Sequence, residues 1–206
     1  TQDFAAGITA LTVRSQQAEA PEEFAQVFAE LTNWHIRLSE AGEEGLLDTL
    51  QGMMRDLRRD FGSWVIDEYP RWVRGSPDRP RLSIDIVRDF LLPRLGTEPV
   101  YFIVLDCMRL DQWRVMAPLL AEFFEIEETY HYSILPTATP YARNAIFSGL
   151  YPDEIAQGRP GWWNASDNEG GLNAFEDELL VEQLRRLTGR SVPVHYEKIF
   201  SDRQRD

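Results

Sequence analysis

Two stretches of the chain hold residue types at spacings that could do chemistry. VYFIVLD (100–106) is an apolar run ending on Asp106, and LPTATPYARNAIFSGLYPDEI (135–155) carries Thr139, Arg143 and Asn144. In open α/β sheets ligands gather at the carboxyl ends of the strands, so an aspartate directly after a predicted strand is a candidate ligand for a hard or borderline cation. It is equally a candidate turn or N-cap residue for the helix that follows. Thr139 directly precedes Pro140, and proline favours the first helical position, so Thr139 is predicted as the N-cap of a helix over 140–148. Such a helix start turns free N–H groups and a positive dipole end toward an anion, and Arg143, one turn on, could reach the same anion. Taken singly, each has a plainer reading: an ordinary cap worth about 1 kcal/mol for Thr139, and a surface ion pair of little worth for Arg143.

Positioning these residues calls for a strand before each group and a helix after it. VYFIVL is a continuous β-branched and aromatic run, the pattern of a strand buried on both faces of a parallel sheet. Helical spacing follows over 111–124 (Trp113, Met116, Leu119, Leu120, Phe123), and a second strand is expected within 126–135. A short helix over 140–148 closes at Gly149, an amphipathic helix over 175–187 ends at Gly189, and 191–200 reads as a last strand. This is the cadence of an open, mostly parallel α/β sheet. A sheet of only about three strands leaves an unpaired edge, and the chain starts without Met. The expectation is therefore a truncated sheet in a fragment of a longer protein. Before it, residues 1–75 read as three or four antiparallel helices, an all-α bundle that packs or dimerises. Pro21 with Glu22 and Glu23 marks one helix start, Gly42 and Gly45 punctuate, and Met53 and Met54 read as core. GSPDRPRLS (75–83) marks a linker and a short helix is expected at 84–92. The expected organisation is a helical module over 1–75, a linker with a short helix over 76–99, and the α/β part over 100–206.

Composition narrows the function classes. The 206 residues, 43% hydrophobic, can bury one sizeable core or one core plus a satellite. A formal charge of −13 excludes a general nucleic-acid coat, while leaving room for a local basic pocket or a bound metal. The single cysteine, Cys107, cannot close an internal disulfide, and no Cys/His spacing of a structural zinc site occurs, so a reducing, cytoplasmic setting is expected. No apolar run is long enough to span a bilayer, and no membrane association is expected. His35, His131 and His195 read as structural, since a metal needs several ligands together. Trp162 and Trp163, in GRPGWWNASDNEGG (158–171), could stack on a base but read first as lid or core packing.

DCMRLDQW (106–113) followed by 135–155 resembles the first half of the PglZ domain, a branch of the alkaline phosphatase superfamily. The version it resembles is that of PorX-type response regulators, in which a receiver domain and a helical linker come first. Residues 100 to 180 carry the resemblance, and 1–75 matches in position and character. Pro136-Thr137-Ala138-Thr139, with Gly149-Leu150-Tyr151-Pro152 thirteen residues on, is also similar to the nucleophile motif of nucleotide pyrophosphatase/phosphodiesterases. That match places the nucleophile at Thr139 rather than Thr137. The resemblance implies an alkaline-phosphatase-like fold and a metal-dependent phosphodiesterase or phosphatase with two metals, usually zinc. A metal-bound threonine alkoxide would attack phosphorus in line. Asp106 and Thr139 would share one metal, and Arg143 or Asn144 would stabilise the non-bridging oxygens, with Asn164 a looser candidate. The remaining Asp and His ligands are expected beyond Asp206, so this chain should bind one metal weakly or none. The implied partners are a phosphoester substrate (a nucleotide or oligonucleotide), an upstream receiver domain and sensor kinase, and a second copy through the helical module. The competing reading is a signalling or dimerisation module with a degenerate catalytic site. A nucleotide-binding α/β domain without turnover is weaker, because no Gly-rich phosphate loop follows a strand.

Overall fold

The computed structural model describes residues 2–163 and 173–199. Among them the chain forms α1 (Gln2–Gln16), α2 (Pro21–Ala41), α3 (Glu44–Val73), α4 (Leu110–Leu120), α5 (Thr139–Ser148), α6 (Pro152–Gly158) and α7 (Glu176–Thr188). A run of short 3-10 and π turns spans 83–94. Two compact units result, one of residues 1–80 and 105–130, the other of 81–104 and 131–206.

The first unit is a helical bundle. Pro21 opens α2, and the Glu23 carboxylate accepts the amides of Glu19 (2.9 Å) and Ala20 (3.1 Å), satisfying donors that the helix start leaves bare. Gly42, at φ 70°, ends α2 in the left-handed conformation that a side chain would strain, and α3 begins two residues later. The apolar stripes of α1, α2 and α3 close on Leu11, Phe24, Val27, Leu31, Leu38, Leu50 and Leu57. Phe24 packs against Phe61 and Trp64 at ring distances of 5.4 and 4.8 Å. The expected three or four helices are three. The helix expected over 111–124 stops at Leu120, and residues 121–130 are exposed and non-helical.

The second unit overturns the expected open parallel sheet. Among the described residues there is no strand, and the one ladder-like contact is an isolated parallel bridge between Leu82 and Tyr132. The apolar run 100–105 is extended, but only Phe102 and Val104 pack on the core, whereas Tyr101, Ile103 and Leu105 are 87%, 76% and 56% exposed. A run hydrophobic at every position suggested burial on both faces, and the structure covers one. Residues 191–199 behave alike, with Val192, Val194 and Tyr196 packed and the intervening positions exposed. Both segments lie against the apolar cluster of Phe147, Ile155, Leu179, Leu180 and Leu184 rather than against another strand. Their burial is satisfied by helices, and no strand ladder forms.

Helix α7 also closes the end of α5. With its amide oriented to satisfy both groups, Gln183 donates to the carbonyls of Phe147 (2.9 Å) and Ile146 (3.1 Å) and accepts from the Gly149 amide (3.3 Å). Arg186 donates to the Ser148 carbonyl at 2.6 Å. Four groups at a helix end are thereby accounted for by one neighbouring helix. Gly149 sits at φ 63°, and a Cβ there would lie 2.1 Å from the Gln183 amide. Gly149→Ala is expected to lower unfolding free energy by about 2–4 kcal/mol, combining left-handed strain with loss of the buried carbonyl partners. Urea denaturation measures it, and a change below about 0.5 kcal/mol, the level of a neutral surface site, contradicts it.

Acid sensitivity follows from two carboxylates. Burial pushes Asp89 up, but hydrogen bonds from Arg88 (2.8 Å) and Arg81 (3.0 Å) outweigh it and hold the carboxyl below its ordinary range. Burial likewise raises Glu128, while Tyr130, Trp113 and Arg114 more than reverse it. Unfolded carboxyls titrate near 4. Groups depressed below that value stabilise the fold fully above about pH 4 and lose the contribution as pH falls through their folded values. The melting temperature is expected to hold from neutral pH to about 5 and to fall below about 4, and Arg81→Gln should flatten the fall.

Candidate active site

Thr139 is the first residue of α5, one position inside the N-cap expected of it. The Ala138 carbonyl accepts the amides of Tyr141 and Ala142, both at 3.0 Å, which makes Ala138 the cap. Pro140 then falls at the second helical position rather than the first. This placement of Thr139 has two chemical consequences. First, the three positions after Thr139 offer no comb of free amides to an anion, because Pro140 has no N–H and the next two amides are spent on Ala138. Second, the Thr139 hydroxyl is not used as a cap, and among the described residues it makes no hydrogen bond. It is half-buried at a helix start, with the dipole as its electrostatic asset.

Arg143 and Asn144 follow on α5, and both are anchored toward α7. The Arg143 guanidinium pairs with the Glu176 carboxylate, whose side chain is 0% exposed. The other carboxylate oxygen accepts from Asn173 (3.1 Å), and Asn173 also donates to Asn144 (3.3 Å), which is itself buried. Tyr196 donates to Glu176 at 2.5 Å, and Lys198, the single lysine of the chain, lies 3.8 Å from it. Lys198 also donates to the Asn173 carbonyl at 3.3 Å. Burial, then the bond and charge of Glu176, push the Tyr196 phenol far above its ordinary range, so it stays a donor at every working pH. Glu176 is thus the hub of a buried polar network that links α5, the start of α7 and the extended segment 191–199. Nothing local in the sequence announces it, since its bonded pairs lie up to 33 residues apart, as Arg143 and Glu176 do.

Asp106 belongs to the other compact unit, at an exposed turn directly after the run 100–105. Its Oδ1 accepts the Cys107 amide at 2.9 Å. Cys107 has φ 59°, a left-handed conformation that costs a non-glycine residue about 1–2 kcal/mol. Asp106 does not cap α4: Arg109 is the cap residue, and its amide is bonded by Gln112 at 2.9 Å. The structure therefore brings Thr139, Arg143 and Asn144 onto one helix, and leaves Asp106 in a separate unit. Among the described residues no group of three or more His, Cys, Asp or Glu could hold a metal ion. His131 and His195 are exposed. Trp162 stacks on Phe175 (5.7 Å, 11°) and Trp163 packs on Tyr141 (5.6 Å), which is the packing role expected first. Asn164 lies outside the described residues.

The family model of the PglZ alkaline phosphatase-like domain of BREX systems matches residues 86–206, and that of the PorX response regulator linker domain matches residues 1–73. The first match spans more than half of the chain, which belongs to the PglZ alkaline phosphatase-like family. Together the two matches put the chain in the class of response-regulator-associated phosphoesterases. No curated protein matches it. No helix among the described residues is long and apolar enough to cross a membrane.

Proposed function

We propose that the protein carrying this chain hydrolyses phosphoesters, nucleotide or oligonucleotide diesters foremost, with Thr139 as the nucleophile. The observation that carries the reading is an uncommitted threonine hydroxyl at the start of α5, inside the stretch matched by the alkaline phosphatase-like family. In this reading the Thr139 oxygen attacks phosphorus, the alcohol leaves, and water then hydrolyses the threonine ester. Arg143, one turn on and held by Glu176, supplies positive charge for the phosphoryl oxygens. Asn144 is buried, and its part is to hold that anchor through Asn173. The two-zinc site that the resemblance implies is likewise a proposal about the whole protein. Asp106 and Thr139 are the residues this chain would give it. An upstream receiver domain and kinase, with signal passing through the α1–α3 bundle, complete the proposal.

Hydrolysis of bis-p-nitrophenyl phosphate by the full-length protein, in buffer containing zinc, tests it. Nitrophenolate release that depends on Thr139 supports the reading. Absence of release above buffer, for this ester and for oligonucleotides, transfers the function to the helical module as a signalling or dimerisation device.

A further inference from the structure

The bundle unit holds a cavity of about 700 Å³ that the phosphoesterase reading does not use. Its walls are one face of α2 (Phe28, Thr32, His35), one face of α3 (Gln51, Met54, Arg55, Arg58) and the first turn of α4. The spacings explain the convergence: positions 28, 32 and 35, and positions 51, 54, 55 and 58, each recur at helical periods and line up along one side of their helix. The size falls within the range of small-molecule sites, which are apolar walls with a few fixed polar groups.

Charge is what sets this cavity apart. In a chain of net charge −13, three arginines converge on it. Arg109 is committed to Asp111 through two contacts of 2.9 Å. Arg55 and Arg58 have no carboxylate partner among the described residues, and Arg58 lies 5.8 Å over the Phe28 ring. The free balance is therefore two positive charges, the complement of a phosphomonoester dianion. His35 adds a second polar observation: its Nδ1 is buried and has no hydrogen-bond partner among the described residues, at a cost a native fold rarely leaves uncompensated. Phe28, Met54 and Leu110 supply an apolar wall beside these polar groups.

We propose that this cavity binds a phosphomonoester carrying a flat organic group, a mononucleotide being the fitting class. Arg55 and Arg58 would take the phosphoryl oxygens, and Phe28, Met54 and Leu110 would cover the organic part. The site is separate from Thr139 and does not rest on the catalytic reading. It would make the bundle a sensor of mononucleotide.

Calorimetric titration of the 206-residue chain with adenosine monophosphate and with inorganic phosphate tests it. The mononucleotide should bind roughly tenfold or more tightly than phosphate alone, which has no use for the apolar wall. The double substitution R55A/R58A should weaken nucleotide binding by about 100-fold, roughly tenfold per charge-assisted contact. Arg58→Gln, which keeps the fold and a polar side chain, should lose about tenfold alone. Arg59→Ala, on the same helix but paired with Asp56 and Asp60, should change nothing. Thr139→Val should also leave this binding intact. No binding at about 10 mM nucleotide, a weak-fragment level, overturns the proposal. So does equal affinity for phosphate, or nucleotide binding that is indifferent to Arg55 and Arg58.

Discussion

Thr139→Val is expected to reduce phosphodiester hydrolysis by the full-length protein by about 10³-fold or more, while leaving its folding stability within about 0.5 kcal/mol. The substitution is close to isosteric and removes only the oxygen. Had Thr139 been the helix cap, its loss would itself cost about 1 kcal/mol and blur the result. The structure removes that ambiguity, because Ala138 is the cap and the Thr139 hydroxyl makes no hydrogen bond among the described residues. A rate that collapses in a protein of unchanged melting temperature therefore reports on chemistry. Thr137→Val is the matched control: Thr137 is exposed and precedes the helix, and its rate should stay within about twofold of the parent. Equal losses at the two threonines would instead implicate the shape of the turn.

Removing the Glu176 carboxylate is expected to be the most damaging single change to the second unit. Glu176→Ala should cost about 3–5 kcal/mol, because it removes the fully buried carboxylate that pairs with the largely buried Arg143 guanidinium. Tyr196 loses its acceptor in the same step, and Asn173 loses one of two. Glu176→Gln keeps the shape and should cost about half as much, since Arg143 and Tyr196 retain one acceptor oxygen. A double-mutant cycle separates pair from environment: E176L with R143M is expected to recover most of the stability, as a packed apolar pair removes both charges together. Catalysis in the double variant should remain low, since the Arg143 charge is gone. Recovery of both stability and rate would show that Arg143 is only a packing element.

Much of the helical scaffold was legible in the residues. Pro21 with its two following glutamates, the apolar period of residues 24–57, and the glycines at 42, 149 and 189 mark starts, faces and stops because each acts through its own neighbours. The GLYP stretch is the sharpest example. Gly149 ends α5 in a left-handed turn, and Tyr151 and Pro152 open α6, the Tyr151 amide bonded to Glu154 at 2.7 Å. Half of a motif that reads as chemistry is therefore helix punctuation. The open sheet was misread because a strand is defined by its partner. Residues 100–105 have strand composition, yet they satisfy one face on helices and leave Tyr101 and Ile103 bare. The Glu176 network was invisible for a related reason: a buried carboxylate has no local signature, and its partners come from α5 and the extended segment 191–199. The candidate residues on α5 could be named from their motif. What holds them could not.

As the nucleophile, Thr139 is expected to become esterified during turnover. Acid quenching of the full-length protein while it hydrolyses bis-p-nitrophenyl phosphate, followed by peptide mass spectrometry, measures this directly. A nitrophenylphosphoryl or phosphoryl adduct is expected on Thr139, absent from Thr139→Val and unaffected by Thr137→Val. Continued turnover with Thr139 unmodified, or with the adduct on Thr137, would contradict it.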